Sequence, residues 1–411
     1  MCSRVSHVIL SVLLAVSLVA GPVLLGCGEE KGEKTTDIVV GMLADFTGPA
    51  ASGCTMLHDG MADYFRVTQE EDPIPGARLK VITYDNRLDY GRNPVGYQWM
   101  KGQGAKLMVV IRNTDFEMLV DRFVQDQIPC FGSMGSLAYP KHEWIYMFPP
   151  ITQWLAQCVV QWIWEDWDGA QPPVIGHVGI AGYAASTYTE EALENLHDSY
   201  PDRFERVEGQ MAPSGTATWS LEIDRVKNCD FIIPTLVGPS LASFIKQIKD
   251  SGCQGRVAGT QEGLLGFYRA VLEAVSADYL DGVLGLSYHP LWIDDIPSIQ
   301  QWKEAVLEYH AKDAQQRLLE TGSIGGWAEG MIIADAIRRA VDEVGAEDVD
   351  GTAIRDALAT VNLSPEGWGN AWSVTPDYNI YARTCRMHEF SKDVGDWVAV
   401  SDWYAPLVLG D

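Results

Sequence analysis

The 411-residue sequence predicts an α/β protein built from two doubly wound units, each a parallel sheet with helices on both faces. Three observations predict it. Short apolar runs of strand length alternate with amphipathic stretches of helix length from residue 38 to residue 259. The alternation restarts after Phe148-Pro149-Pro150, as a second unit of the same kind would. The chain is long enough for two sizeable cores, and its 47% hydrophobic content is ordinary for a globular protein.

Residues 38–44 read as a short apolar strand, and 56–67 as a helix with Met56, Met61, Tyr64 and Phe65 on one face. A strand at 79–84 and a helix at 94–102 follow. Residues 106–111 are continuously apolar, as expected of a strand buried on both faces. Residues 115–125 place Phe116, Leu119, Val120 and Phe123 on one helical face, and 129–132 is again a strand. After residue 148 come a helix at 153–166, a strand at 174–180, a helix at 189–200 and a strand at 204–211. A helix at 220–227, a strand at 231–234, a helix at 240–251 and a strand at 256–259 complete the second run. Helices are expected at 299–312, 326–344 and 352–361. Near the end, 386–390 and 396–400 flank Lys392-Asp393-Val394-Gly395 and read as an antiparallel hairpin.

The formal net charge is −26, with no cluster of Lys or Arg, which excludes a nucleic-acid surface and fits simple solubility. Of eight cysteines, Cys2 lies in an apolar leader; no CxxC or Cys/His spacing suggests zinc. Cys229 precedes one expected strand and Cys253 the next, at the same lower edge of neighbouring strands. That places them either as a disulfide or as buried free thiols.

The apolar run 8–25 ends in Leu24-Leu25-Gly26-Cys27, and the charged stretch Gly28-Glu29-Glu30-Lys31-Gly32-Glu33-Lys34 follows. Leu24 three places before Cys27, with small Gly26 directly before it, resembles the lipobox of bacterial lipoproteins. The resemblance implies a signal peptide over 1–26, a lipid on Cys27 and a tether over 27–36. The alternative is an uncleaved anchor, since the run is about as long as a membrane span. Gly21 and Pro22 interrupt it and the following flank is of mixed charge, which favours cleavage. Both readings place the folded part outside the cytoplasm.

In open α/β sheets ligands bind beyond the carboxyl ends of the strands. The loops there are 45–54, 112–115, 133–137, 182–188, 235–239 and 260–266. Their residues resemble a known family. Ile38-Val39-Val40-Gly41-Met42-Leu43 with Thr47-Gly48-Pro49 is similar to the start of type I periplasmic solute-binding proteins, in the leucine/isoleucine/valine-binding branch of ABC transporters. Tyr84-Asp85-Asn86 fits its "YDD", and Gln127-Ile128-Pro129 its approach to the fourth strand. Phe244-Ile245-Lys246-Gln247 with Ser251-Gly252 fits the helix before its "GPEG" loop, here Gly259-Thr260-Gln261-Glu262-Gly263. Trp327-Ala328-Glu329-Gly330 with Ala334, Ala336 and Ala340 fits its late helix.

The resemblance implies two lobes joined by three chain crossings near 148–151, 280–286 and 368–375. Lobe 1 is then 37–149 plus 285–370, and lobe 2 is 150–284 plus 371–411. It implies that a ligand carboxylate meets Asn113, Thr114, Met134 and Ser136, and that a ligand ammonium meets Glu262. A helix start independently favours an anion, although Asn113 and Thr114 also suit simple capping. Tyr183 and Tyr188 straddle a family tyrosine position, and Trp327 stands where the family often has tyrosine. Gly53 replaces a usual aromatic, Arg112 a usual glycine and Pro149 a usual arginine.

No enzyme signature is legible. Phe131 breaks a nucleophile elbow around Ser133, the side chains of the adjacent pairs His58-Asp59 and His142-Glu143 are expected to diverge, and no His pair has metal spacing. No Gly-rich phosphate loop or other cofactor motif is present, so no cofactor is expected. The expected partners are a small ligand, ABC permease subunits and the membrane through a lipid. The alternative function is a sensing module for amides, urea or small aromatic acids that acts through a signalling partner.

Overall fold

The computed structural model describes residues 35–48, 50–319 and 321–407. The leader, Cys27, residues 28–34 of the tether and Pro49 of the first loop lie outside them.

The first sheet contains β1 (Thr36–Ala44), β2 (Ala77–Asp85), β3 (Ala105–Val110), β4 (Cys130–Gly132) and β5 (Ile145–Met147). All are parallel, in the order β2-β1-β3-β4-β5. Helices α1 (Ala51–Glu71), α2 (Asn93–Gly102) and α3 (Asn113–Asp126) connect them. Strand order reverses between β1 and β3, so the carboxyl ends of these two strands open onto a crevice.

The second half repeats the plan. It runs α4 (Thr152–Asp166), β6 (Val174–Ile180), α5 (Ala184–Ser199), β7 (Glu205–Ala212), α6 (Ser220–Val226), β8 (Phe231–Thr235), α7 (Gly238–Asp250), β9 (Arg256–Gly259), α8 (Tyr268–Ala274) and β10 (Leu284–Ser287). Strands β7-β6-β8-β9-β10 are parallel and reverse order at the equivalent place. Then come α9 (Pro297–Tyr309), α10 (Ala314–Arg317), α11 (Thr321–Val344) and α12 (Gly351–Leu358), and a short antiparallel pair, β11 (Asn362–Leu363) and β12 (Trp372–Ser373). The expected hairpin is β13 (Arg386–Ser391) and β14 (Asp396–Ala399); it extends the second sheet, with β13 antiparallel to β10.

Helix α11 returns to the first half and lies along α1 with the two backbones in contact. A methyl group on Gly60 would lie 2.0 Å from the Ser323 carbonyl oxygen, and one on Gly326 2.0 Å from that of Leu57. Only glycine permits so close a helix pair.

The chain passes between the sheets after β5, after β10 and after Ile380, which still bridges Met147 of β5 in parallel. The resemblance places the second and third passages near 280–286 and 368–375; here β10 ends at Ser287 and the bridge to β5 is at Ile380. Residues 284–287 are too few to show a period, and their partners β9 and β13 are distant in sequence. The first two passages meet at an aromatic cluster that the first half completes with Trp368 and Trp372. Phe148 lies 5.3 Å from Trp372 and 5.9 Å from Tyr288 between ring centroids, and Trp368 lies 4.8 Å from Trp372. Each such edge-to-face pair adds about 0.5–1.5 kcal/mol beyond its buried area.

Candidate functional site

The acid of the loop after β9 is the centre of the candidate site. Glu262 Oε2 accepts a hydrogen bond of 2.8 Å from the hydroxyl of Thr152, the first residue of α4. No Lys or Arg pairs with it among the described residues. Protein encloses the carboxyl on most sides and pushes its pKa up to about 7, only partly offset by Thr152. The residue is nonetheless half-buried rather than sealed, so the group remains reachable. Two phenols share its surroundings. Tyr183 caps the start of α5; burial, then the Glu262 charge, raises its pKa. Tyr288 follows β10 at the second passage; burial, then Glu262 and Glu329, raises its pKa well above the usual value. Neither hydroxyl has a hydrogen-bond partner among the described residues, and both side chains are half-exposed.

The first half contributes a second acid. Ser133, directly after β4, hydrogen-bonds Glu329 Oε2 of α11 at 2.8 Å. Glu329 is 1% exposed, and burial pushes its carboxyl up to about 8. Tyr288 packs edge-on to Phe148, which follows β5, so the two halves meet at this ring.

The other residues expected from the sequence have the following surroundings. Asn113 is buried at the start of α3, and its side-chain oxygen accepts from the Thr114 N–H at 2.8 Å. Thr114 reaches the Tyr90 hydroxyl at 3.4 Å. Asp115, in the same first turn, takes Arg112 through two bonds of 2.7 and 2.8 Å, and also Asn86 and Asn93. This carboxylate already supplies the negative charge that a helix start favours. The Ser136 hydroxyl bonds Glu117 and accepts from the Ala138 N–H at 3.1 Å. Met134 is half-buried beside it. Trp327 is 0% exposed and packs edge-on to Tyr64 at 5.0 Å between α1 and α11, and its indole N–H is buried without a hydrogen-bond partner among the described residues. Among the described residues no hydrogen bond joins Asn113, Thr114 or Ser136 to the Glu262 group.

Two further expectations meet the structure here. Cys229 and Cys253 are free thiols, the first buried and the second half-buried. His58 and Asp59 do not diverge: His58 Nδ1 lies 2.9 Å from Asp59 Oδ1, and Asp59 also takes Arg317 at 2.6 Å. The pair joins α1 to α10 because adjacent helical side chains can converge on a third group that a neighbouring helix supplies. Among the described residues no cluster of His, Cys, Asp and Glu could hold a metal ion, and no helix is long and apolar enough to cross a membrane.

Sequence reasoning missed Thr152, Ser133, Tyr288 and Glu329. The one available signal was Glu329 itself, an acid amid the apolar and small residues of the late helix.

The periplasmic binding protein family matches residues 37–387. No curated protein sequence matches the chain. A branched-chain amino acid ABC transporter from Thermus thermophilus with bound valine is 15% identical, with a TM-score of 0.77, over 91% of this chain and 97% of its own. A fatty acid ABC transporter substrate-binding protein from Thermomonospora curvata is 14% identical, with a TM-score of 0.75, over 91% and 94%. A solute-binding protein of an ABC transporter from R. palustris, in complex with benzoate, is 12% identical, with a TM-score of 0.73, over 92% and 98%. The protein belongs to the periplasmic binding protein family, and its fold is the type I form. Membership implies an extracytoplasmic solute-binding protein of the ABC-transporter kind. The similar structures carry chemically different ligands, so the fold does not set the ligand.

The acid in the floor of the first half has a measurable consequence. The Glu329 pKa is about 8 in the folded protein, against 4.5 in an ordinary environment. The unfolded chain therefore binds fewer protons between those values, and ionisation costs stability as pH rises through that window. Glu329→Gln keeps the bond to Ser133 and removes this cost. Thermal unfolding of the ligand-free variant should show a gain over wild type that is larger at pH 8 than at pH 6, by about 2 kcal/mol. Equal gains at the two pH values would show that Glu329 does not titrate there.

Proposed function

We propose that the protein is the solute receptor of an ABC importer, moored outside the cytoplasmic membrane by a lipid on Cys27. It binds a small amino acid or related ammonium ligand between its two halves and delivers it to a permease. The half-buried carboxyl of Glu262, without a base beside it, carries this reading. A carboxylate held away from water lacks a counter-charge, and a ligand ammonium supplies one. The unpaired hydroxyls of Tyr183 and Tyr288 offer further polar contacts to the bound solute. Contacts from both halves would favour the closed arrangement, with bending at the three passages. The two lobes would then be those expected from the sequence, shifted to the observed passages. The similar valine-bound structure agrees in ligand class, and the benzoate and fatty-acid proteins mark the alternatives.

The ligand class follows from a thermal-shift and tryptophan-fluorescence screen of amino acids, amides, urea and small aromatic acids. Because the free Glu262 carboxyl has its pKa near 7, its charged form falls from mostly to scarcely populated between pH 8 and pH 6. The affinity for the best amino acid should therefore weaken about tenfold over that interval, and Glu262→Gln should abolish the pH dependence. A pH-independent affinity in the wild type, or binding of neutral amides alone, would sink the ammonium assignment.

The mooring has its own test. Cys27→Ser should move the protein from the membrane fraction to the soluble exported fraction. Unchanged membrane retention would mean that the leader itself is the anchor.

A further inference from the structure

Two acids without a base, Glu262 and Glu329, come from different halves and are brought near each other by two separate contacts. Glu262 takes the Thr152 hydroxyl at 2.8 Å, and Glu329 takes that of Ser133 at 2.8 Å. A methyl group on Gly135, two residues after Ser133, would lie 2.6 Å from the Cα of Ile151, and Thr152 is the next residue. The Cα atoms of Ser133 and Thr152 are therefore no more than about 15 Å apart. The second contact comes from α11, the helix that carries Glu329. The hydroxyl of its first residue, Thr321, donates at 3.5 Å to the carbonyl of Leu265, in the loop that carries Glu262.

The first half offers no cation to a ligand carboxylate at this edge. Arg112, which follows β3, is held by Asp115 at 2.7 and 2.8 Å. The Ser136 hydroxyl is engaged by Glu117, and the Asn113 oxygen accepts from the neighbouring Thr114 N–H at 2.8 Å. Among the described residues no Lys, Arg or His forms an ion pair with Glu262 or Glu329. What lacks a partner is an acceptor: Gln261, beside Glu262 in the chain and 5% exposed, has a side-chain oxygen without a donor among the described residues.

We infer that the ligand carries two ammonium groups, one for Glu262 and one for Glu329, and is a linear diamine or a diamino acid. The inference rests on the ammonium reading of Glu262 and adds the second charge. An enclosed carboxylate is costly without a counter-charge, and an ammonium brings that charge together with three N–H donors. Glu329 is 1% exposed, so the far ammonium enters while the halves are apart and is enclosed when they close. The two ends of the ligand are held by different halves, so its binding favours closure. A ligand with one ammonium engages Glu262 alone.

Calorimetric titration of the full exported chain at pH 8 compares ligands that differ by one ammonium: lysine with norleucine, ornithine with norvaline, and 1,5-diaminopentane with pentylamine. In the wild type the doubly charged member of at least one pair should bind about tenfold more tightly. In Glu329→Gln that ratio should fall to about one. Repeated at pH 7 in buffers of different ionisation enthalpy, the doubly charged member should release about one proton more than its counterpart. The Glu329 carboxyl, pushed up to about 8, is mostly protonated there and ionises on pairing. Equal affinities within every pair, or a ratio that survives Glu329→Gln, overturn the inference and leave the Glu262 reading standing. Binding of neutral amides or acids alone defeats both.

Discussion

A carboxylate enclosed by protein without a base is the constraint on which the rest of this molecule depends. Withdrawing Glu262 from water costs free energy unless something compensates its charge, and here one threonine hydroxyl does so only in part. The pKa near 7 records that shortfall. It leaves the group poised, at neutral pH, between a protonated form that needs no partner and a charged form that does. Two features of the fold create this state. The loop after β9 brings the acid to the carboxyl edge of the second sheet, and the start of α4 closes over it with Thr152. The first half adds Glu329, whose enclosure is more complete and whose carboxyl is shifted further.

The architecture turns two ordinary sheets into a device that can use such a group. Both halves have the same strand order, and each reversal of order opens a crevice at the carboxyl ends of its strands. The first two passages meet at Phe148 and Tyr288, and Trp368 and Trp372 of the first half pack on Phe148, so this part of the joint is a packed aromatic cluster rather than slack chain. Tyr288 belongs both to that cluster and to the surroundings of the two acids.

Much of the fold was legible in the sequence because parallel α/β units have a strong rhythm. The buried strand β3 shows as an unbroken apolar run, and α3 as a clean helical face. The hairpin at the end was readable from the turn between its strands. Strand β10 was not, since four residues carry no period and its place depends on β9 and β13. Glu262 stands out in the sequence by its loop and flanking glycines, and the structure encloses its carboxyl. Its partner Thr152 is 110 residues away, and Ser133 and Glu329 are 196 apart, so only the folded chain brings these groups together. The packing of Trp327 was not legible either: the close approach of α1 and α11 at Gly60 and Gly326, which buries its ring, involves residues more than 250 positions apart.

Proton release on binding tests the central claim most directly. Titration calorimetry at pH 7, repeated in buffers of different ionisation enthalpy, counts the protons that leave the protein when an amino acid binds. Glu262 is about half protonated there, and pairing with an ammonium completes its ionisation. The account predicts release of about half a proton per ligand in the wild type and none in Glu262→Gln. A binding heat that does not vary with buffer, or a release that persists in the variant, would contradict it.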